Sequence, residues 1–179
     1  CQIVEGGQNY GVAGGRNRMM KAAKTDWVLS IDNDMIFTAN PLSNAQRDIA
    51  TLGVHFLNLP LLNNCNANSG AIGGHLFVEP MHGGVNVGIG SALAAQNIRM
   101  NEEADGFLCT GIMGTAAIIN RHTFEHLGGF EENMFVGFED TEFSMRVFQA
   151  GYKVGCCGMV AMSHNHVASS GSADADYEK

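Results

Sequence analysis

The sequence contains no apolar run approaching the ~18 residues needed to cross a membrane, and it contains few basic residues. Its 179 residues include 10 lysines and arginines against 18 acidic residues, which gives a net charge of −8. This balance excludes a protein that coats nucleic acid with a basic surface. Charged residues make up only 16%. An apolar content of 45% and a length typical of one domain predict a single folded unit with a substantial core.

The five cysteines show no spacing typical of a metal site, and their odd number leaves at least one without an intramolecular disulfide partner. Cys156 and Cys157 are adjacent within an apolar stretch. This pattern is typical of buried thiols in a reducing compartment and therefore predicts a cytoplasmic protein.

The first part of the chain predicts a helix, a strand and a second helix. Residues 12–24 repeat apolar residues with helical spacing, and Arg16 lies within that apolar stripe, where its charge needs a partner. The run Trp27–Ile31 predicts a buried parallel strand. Asn40 and Pro41 then predict the start of a helix that reaches about residue 52.

The remainder of the chain alternates between regular and irregular patterns. Glycine and asparagine clusters break the periodicity in residues 53–105, which predicts a loop-rich insertion around short strands. A strand is expected within 107–120 and a final strand at 153–163. The polar residues 168–179 predict a disordered tail, so that the folded unit covers residues 1–167.

Two aspartates one residue apart follow the predicted strand, at Asp32-Asn33-Asp34. Ligands of open α/β sheets bind at the carboxyl ends of strands. Two carboxylates there can hold a divalent cation against phosphate oxygens. An Asx-turn with helix-capping aspartates is the structural alternative, and this motif alone is consistent with both.

A helix predicted over 138–150 begins with Glu139 and Asp140. Helical spacing places Asp140 on the apolar face, in the first turn, where the helix dipole stabilises a carboxylate. Such an acid either caps the helix or acts as a general base in a cleft. Glu142 and Arg146 have the i,i+4 spacing of an ion pair on the other side of the helix.

Two histidines, His164 and His166, follow the last predicted strand. Imidazole is a common metal ligand, but two histidines that lie two residues apart on an extended chain seldom bind the same ion. A surface histidine pair without a ligand is therefore the alternative.

In this order, the motifs resemble those of GT-A glycosyltransferases of the family 2 type. The resemblance covers residues 9–40 and 107–166 well and residues 53–105 poorly. It rests on the segments Asn9 to Asn17, Asp32-Asn33-Asp34, Leu127-Gly128-Gly129-Phe130-Glu131-Glu132, Glu139-Asp140, Arg146 and Gly151-Tyr152.

The resemblance implies that a sugar moves from a nucleotide-diphosphate donor to a hydroxyl of a saccharide or other acceptor, with inversion. Asp34, together with Asp32, would hold Mn²⁺ or Mg²⁺ against the diphosphate. His164 would be the third ligand, with His166 as the alternate.

The same resemblance implies roles for the remaining polar residues. Asp140 would be the general base, and Glu139 would orient acceptor or donor hydroxyls. Donor binding would involve Arg16, Asn9 and Asp32, although pairing of Arg16 with Asp32 is an equally good structural interpretation.

Members of this family begin with a further βαβ unit that grips the nucleotide. We therefore expect a GT-A type sheet flanked by helices and lacking the first βαβ unit, with residues 53–105 as an irregular insertion on the acceptor side. Such a fragment could be inactive, or a non-catalytic assembly module that buries its open sheet edge in a homodimer.

A second enzyme class shares the Asp-x-Asp pattern at a strand end. Haloacid-dehalogenase-like phosphatases use the first aspartate as nucleophile and the second as acid and base. They also need a threonine two residues after the second aspartate, where this chain has Ile36. This interpretation is therefore the weaker alternative.

Overall fold

The computed structural model describes residue 4, residues 7–93 and residues 99–164. Within these residues the helices are α1 (Gly11–Ala22), α2 (Leu42–Leu52), α3 (Arg121–His126) and α4 (Glu139–Gln149). The strands are β1 (Trp27–Ile31), β2 (Met35–Phe37), β3 (Phe56–Asn58), β4 (Leu61–Asn63), β5 (Asn66–Ala71), β6 (Gly74–Met81), β7 (Gly84–Ser91), β8 (Phe107–Cys109), β9 (Ala116–Asn120), β10 (Val154–Cys156) and β11 (Met162–His164). The predicted tail at 168–179 lies outside the described residues.

The strands form two mixed sheets and a hairpin. The larger sheet has the order β1-β9-β3-β10-β8, in which β3 and β10 are parallel and the other neighbours are antiparallel. The smaller sheet has the order β2-β11-β4-β5, with β11 and β4 parallel. Among the described residues, strands β6 and β7 form a separate two-stranded hairpin, and an isolated bridge joins Gly74 of β6 to Gly111. The sequence therefore folds into the expected α/β class.

Strand β1 corrects one prediction from the sequence. It pairs antiparallel with β9 at the edge of the larger sheet in the described residues, rather than lying between parallel strands. Its ends are partly exposed, with Trp27 at 37% and Ile31 at 38%. A continuous apolar run indicates burial by neighbouring layers, but it does not specify the direction of the partner strand.

Residues 56–91 are more regular than the sequence predicts, because they form β3 to β7. The glycines of β7 do not interrupt the strand. Gly88 leaves room for the Phe77 ring of the paired strand β6, because a Cβ at Gly88 would lie 2.7 Å from that ring. The strand predicted at 153–163 is in fact two strands, β10 and β11, in different sheets.

The core lies on both faces of the larger sheet. Phe56 and Ile119 pack with α1, α3 and α4 on one face, whereas their neighbours Leu57 and Ile118 pack with α2 on the other. This alternation follows from the two-residue repeat of a strand. The larger sheet thus holds the helix ends that surround the candidate site.

None of the described helices is both long and apolar enough to span a membrane.

Candidate active site

The Asp32-Asn33-Asp34 motif lies where the chain passes from one sheet to the other. Strand β1 of the larger sheet ends at Ile31, and β2 of the smaller sheet begins at Met35. The turn between them is anchored by the Asp32 amide, which donates to the Thr115 carbonyl at 3.1 Å. The two carboxylates therefore lie at a strand end, as the sequence predicts.

Arg16 lies beneath this turn and bridges two carboxylates. Its Nη2 donates to Asp32 Oδ1 at 2.7 Å, and its Nη1 donates to Glu139 Oε1 at 3.3 Å. Arg16 is 9% exposed and Glu139 is 5% exposed, whereas the Asp32 side chain is more open at 35%. The charge that interrupts the apolar face of α1 thus has two partners, and both belong to the predicted site.

Asp140 is the second residue of α4 and faces the loop before β9. Its Oδ2 accepts from the Gly114 amide at 3.2 Å, and its Oδ1 accepts from the Thr141 amide at 2.7 Å. Gly114 packs closely, because a Cβ there would lie 2.9 Å from Arg16 Nη1 and 3.1 Å from Asp140 Oδ2. Farther along α4, Val147 is buried, whereas Phe148 is 66% exposed and lies outside the buried face of the helix.

Asp34 contacts His164, the last residue of β11. The distance from His164 Nε2 to Asp34 Oδ2 is 3.0 Å. The His164 side chain is 11% exposed and that of Asp34 is 44% exposed, so the pair lies at the surface end of the site. His166, the alternate ligand, lies outside the described residues.

An open cleft of about 360 Å³ lies among the aspartate turn, α1 and the start of α4, and His164 is not one of its lining residues. Arg16 is the one cationic residue among its described lining residues, and five of the lining residues were not predicted: Val12, Gly114, Thr115, Val136 and Gly137. These five carry no charge or ring, so the sequence offers no chemical signal for them. The cleft brings together Arg16, Asp32, Asp34, Glu139 and Asp140.

Asn9 does not line this cleft. Its Oδ1 accepts a hydrogen bond from the amide of Gly11, the first residue of α1, at 2.9 Å. Its expected role in donor binding stays a prediction. Within 7–93 and 99–164, no three His, Cys, Asp or Glu side chains form a preassembled metal-binding group.

A larger cavity of about 610 Å³ lies behind the site, against α1, α3 and α4. Its lining includes the Glu142–Arg146 pair, whose Nε–Oε1 distance is 2.6 Å, as the i,i+4 spacing predicts. Arg146 also donates to the carbonyls of Leu127 and Gly129. None of the predicted catalytic or metal residues lines this cavity.

This chain is similar to a protein family, to a curated relative and to a solved structure. Residues 1–57 match the family described as Glycosyl transferase family 2. The O-antigen chain rhamnosyltransferase WbaN of Salmonella anatum is 28% identical over 169 residues, covering 92% of this chain and 49% of that protein. The chain therefore spans about half the length of this relative.

A solved structure, that of GalNAc-T7 with UDP, GalNAc and Mn²⁺, has a TM-score of 0.62 at 16% identity. The match covers 88% of this chain and 31% of that one, and it shows the fold. The solved structure shows that this chain has a GT-A type fold, and residues 1–57 are similar to the family 2 glycosyl transferases.

Proposed function

We propose that this cleft transfers a sugar from a nucleotide-diphosphate donor to an acceptor hydroxyl, with a divalent metal and with inversion. The observation that carries the proposal is the arrangement of the cleft. Asp34 and Asp140 both line the cleft, and His164 contacts Asp34. Arg16 joins the turn after β1, through Asp32, to the start of α4, through Glu139.

Asp34 and His164 fit a divalent ion such as Mn²⁺ or Mg²⁺. A carboxylate oxygen and an imidazole nitrogen already converge to 3.0 Å, and both are ligands that such ions accept. Asp32 is engaged by Arg16, so Asp34 is the better carboxylate ligand of the motif. When bound, the ion would neutralise charge on the departing diphosphate.

Asp140 is suited to act as the general base. The Gly114 and Thr141 amides fix its carboxylate, which orients it before substrate arrives. In the proposed step, the acceptor hydroxyl gives its proton to Asp140 and forms the new glycosidic bond. The bond between the sugar and the diphosphate breaks, and the diphosphate leaves with its electron pair.

The relatives support the substrate class. One is named as a rhamnosyltransferase, and the solved neighbour is titled with UDP, GalNAc and Mn²⁺. For this chain, these names favour a nucleotide-sugar donor and a saccharide acceptor without specifying either sugar.

The variant Asp140→Asn tests the assignment of the base. We expect nucleotide binding, measured by calorimetry over UDP, GDP and dTDP with Mn²⁺, to remain within about two-fold. Turnover of the corresponding nucleotide sugars should fall by about 10²–10⁴, the usual contribution of a general base. The matched control is Asp26→Asn, because Asp26 is an exposed aspartate that contacts His122 away from the cleft. Turnover retained in Asp140→Asn would place the base elsewhere.

A further inference from the structure

The β6–β7 hairpin carries one face that is entirely apolar. Six apolar residues pair across the two strands and share this face, because strand side chains alternate: Leu76 with Ile89, Val78 with Val87, and Pro80 with Val85. The opposite face is mixed and includes His75, Glu79 and Asn86. An isolated two-stranded sheet is only marginally stable in water, so an apolar face of this size needs a cover.

Helix α4 covers only the base of this apolar face. Residues of both elements line an open groove of about 450 Å³: Leu76, Val78, Val87, Met145 and Phe148. Phe148 is 66% exposed and Met145 is 48% exposed, so the helix leaves the groove accessible. Beyond the groove lies the hairpin tip, formed on this face by Pro80 and Val85, and Val85 is 61% exposed. An apolar groove and an apolar tip therefore lie next to each other on one surface.

The charge distribution favours a second copy of the chain as the partner of this surface. Among the described residues, no charged side chain belongs to the apolar face or lines the groove. The chain has a net charge of −8, so two copies repel each other over most of their surfaces, and this face lets them meet without opposing like charges. An anionic bilayer is a poorer partner, because membrane-binding surfaces combine apolar residues with lysine or arginine, and residues 74–91 contain neither.

The exposed area of the surface is also of the right size. Val78, Val85, Met145 and Phe148 are between 48% and 66% exposed. Together these side chains expose roughly 400 Å² of apolar surface. Two such surfaces in contact remove about 800 Å² from water, which is half of the total area of a typical specific interface. Because such interfaces are only slightly more than half apolar, the remaining area is a polar rim.

We propose that this surface binds a second copy of the chain in a two-fold symmetric dimer. In such an interface the same surface of each copy faces the other. With the axis near Val78 and Val87, midway along the face, the tip of each copy enters the groove of its partner. Val85 of one copy then packs against Phe148 of the other, twice in each dimer. The dimer is independent of the proposed reaction, since none of these residues lines the cleft.

Sedimentation equilibrium of the 179-residue chain measures this association directly. We expect the mass to rise toward twice that of the chain with increasing concentration, with a dissociation constant below about 100 µM. A wild type that stays monomeric at about 200 µM overturns the proposal.

Two charge variants test the tip and the groove separately. Val85→Glu places a carboxylate on the tip, and Phe148→Lys places an ammonium group in the groove. Each variant buries two unpaired charges in the symmetric dimer and should weaken dimerisation by about 100-fold or more. The matched controls place the same charges on other exposed apolar residues, Leu42→Glu at 52% exposure and Met19→Lys at 51%. Both controls should stay within about three-fold of wild type.

A mixture of the two charge variants tests the tip-to-groove geometry. In a mixed dimer, the tip of Val85→Glu faces the groove of Phe148→Lys, where opposite charges pair, and the other contact has the wild-type residues. We expect the equimolar mixture to dimerise at least about ten-fold more tightly than either variant alone. No gain on mixing, or a dimer that neither variant weakens, overturns the proposal.

Folding is measured separately for each variant. Circular dichroism should give the wild-type spectrum, because both substituted side chains are exposed. Val85→Thr and Phe148→Ser add no charge and replace any charged variant that unfolds, and each should weaken the dimer by about five-fold or more. Flotation with vesicles of phosphatidylglycerol and phosphatidylethanolamine tests the bilayer. A monomeric wild type that floats, together with a Val85→Glu variant that does not, would make this surface a membrane contact and overturn the dimer.

Discussion

Arg16 of helix α1 donates to Glu139 of helix α4 although 123 positions separate them in the chain. The same guanidinium holds Asp32 at the end of β1, so one buried cation joins three elements around the cleft. Without the Arg16 guanidinium, the buried carboxylate of Glu139 would lack a compensating positive charge. The geometry of the site therefore depends on a residue that carries no role in the proposed chemical step.

Replacement of Arg16 by methionine should destabilise the fold. Breaking a buried ion pair by removing one partner leaves an uncompensated charge, and we expect a loss of about 3 kcal/mol in the free energy of unfolding. Urea denaturation followed by circular dichroism measures this value. The double variant Arg16→Met/Glu139→Gln should recover at least about 1 kcal/mol, because it removes the stranded charge.

Arg18 supplies the control for that experiment, since it lies on the same helix. Its salt bridge to Glu132 is longer, at 3.4 Å, and both side chains are substantially exposed. Arg18→Met should therefore cost no more than about 1 kcal/mol. Equal losses for Arg16→Met and Arg18→Met would refute the buried bridge.

Asn17 should be a second determinant of stability near the site. Its side chain donates to the Phe130 carbonyl at 2.8 Å and accepts from the Phe130 amide at 2.9 Å, with Asn17 only 7% exposed. Asn17→Ala leaves these backbone groups unpaired and should lower the free energy of unfolding by about 2–3 kcal/mol. Asn133→Ala, at an exposed loop position, should change it by less than about 1 kcal/mol. A small loss for Asn17→Ala would contradict this account.

The buried thiols predicted from the sequence are found in the structure. Cys156 and Cys157 are 0% and 1% exposed, and burial raises the pKa of Cys157 to about 11. Because the thiolate is the reactive form, about one Cys157 in a thousand is ionised at pH 8. Iodoacetamide at pH 8 should therefore modify exposed Cys65 and spare Cys157 until urea unfolds the chain. Peptide mass spectrometry gives the sites, and equal modification in the folded protein would contradict the burial.

Local patterns predicted the helices well because their evidence lies in neighbouring residues. The i,i+4 pair of Glu142 and Arg146 forms as expected, and Asn40 Oδ1 accepts from the Leu42 amide at the start of α2. Strand pairing was harder to predict, since the partner is distant. Nothing in the run Trp27–Ile31 specifies an antiparallel partner 85 to 93 positions away, as the pairing of Trp27 with Asn120 and of Ile31 with Ala116 shows.

The candidate site was predictable where a charge made a residue conspicuous. Asp32, Asp34, Glu139 and Asp140 line one cleft, and Arg16 needed partners because it interrupts an apolar face. Thr115 was missed because a threonine before a strand is ordinary in sequence. Its distinguishing feature, a buried hydroxyl without a partner, exists only after folding.

Metal-dependent nucleotide binding tests the central claim most directly. Calorimetry should show that Mn²⁺ tightens the binding of at least one of UDP, GDP and dTDP to the wild type by ten-fold or more. Asp34→Ala should abolish this gain, because it removes the carboxylate that contacts His164. Asp26→Ala, which breaks a similar aspartate–histidine contact of 2.9 Å at an exposed site, should retain it. A wild type with no metal-dependent nucleotide binding, or an Asp34→Ala variant that keeps it, would contradict the account.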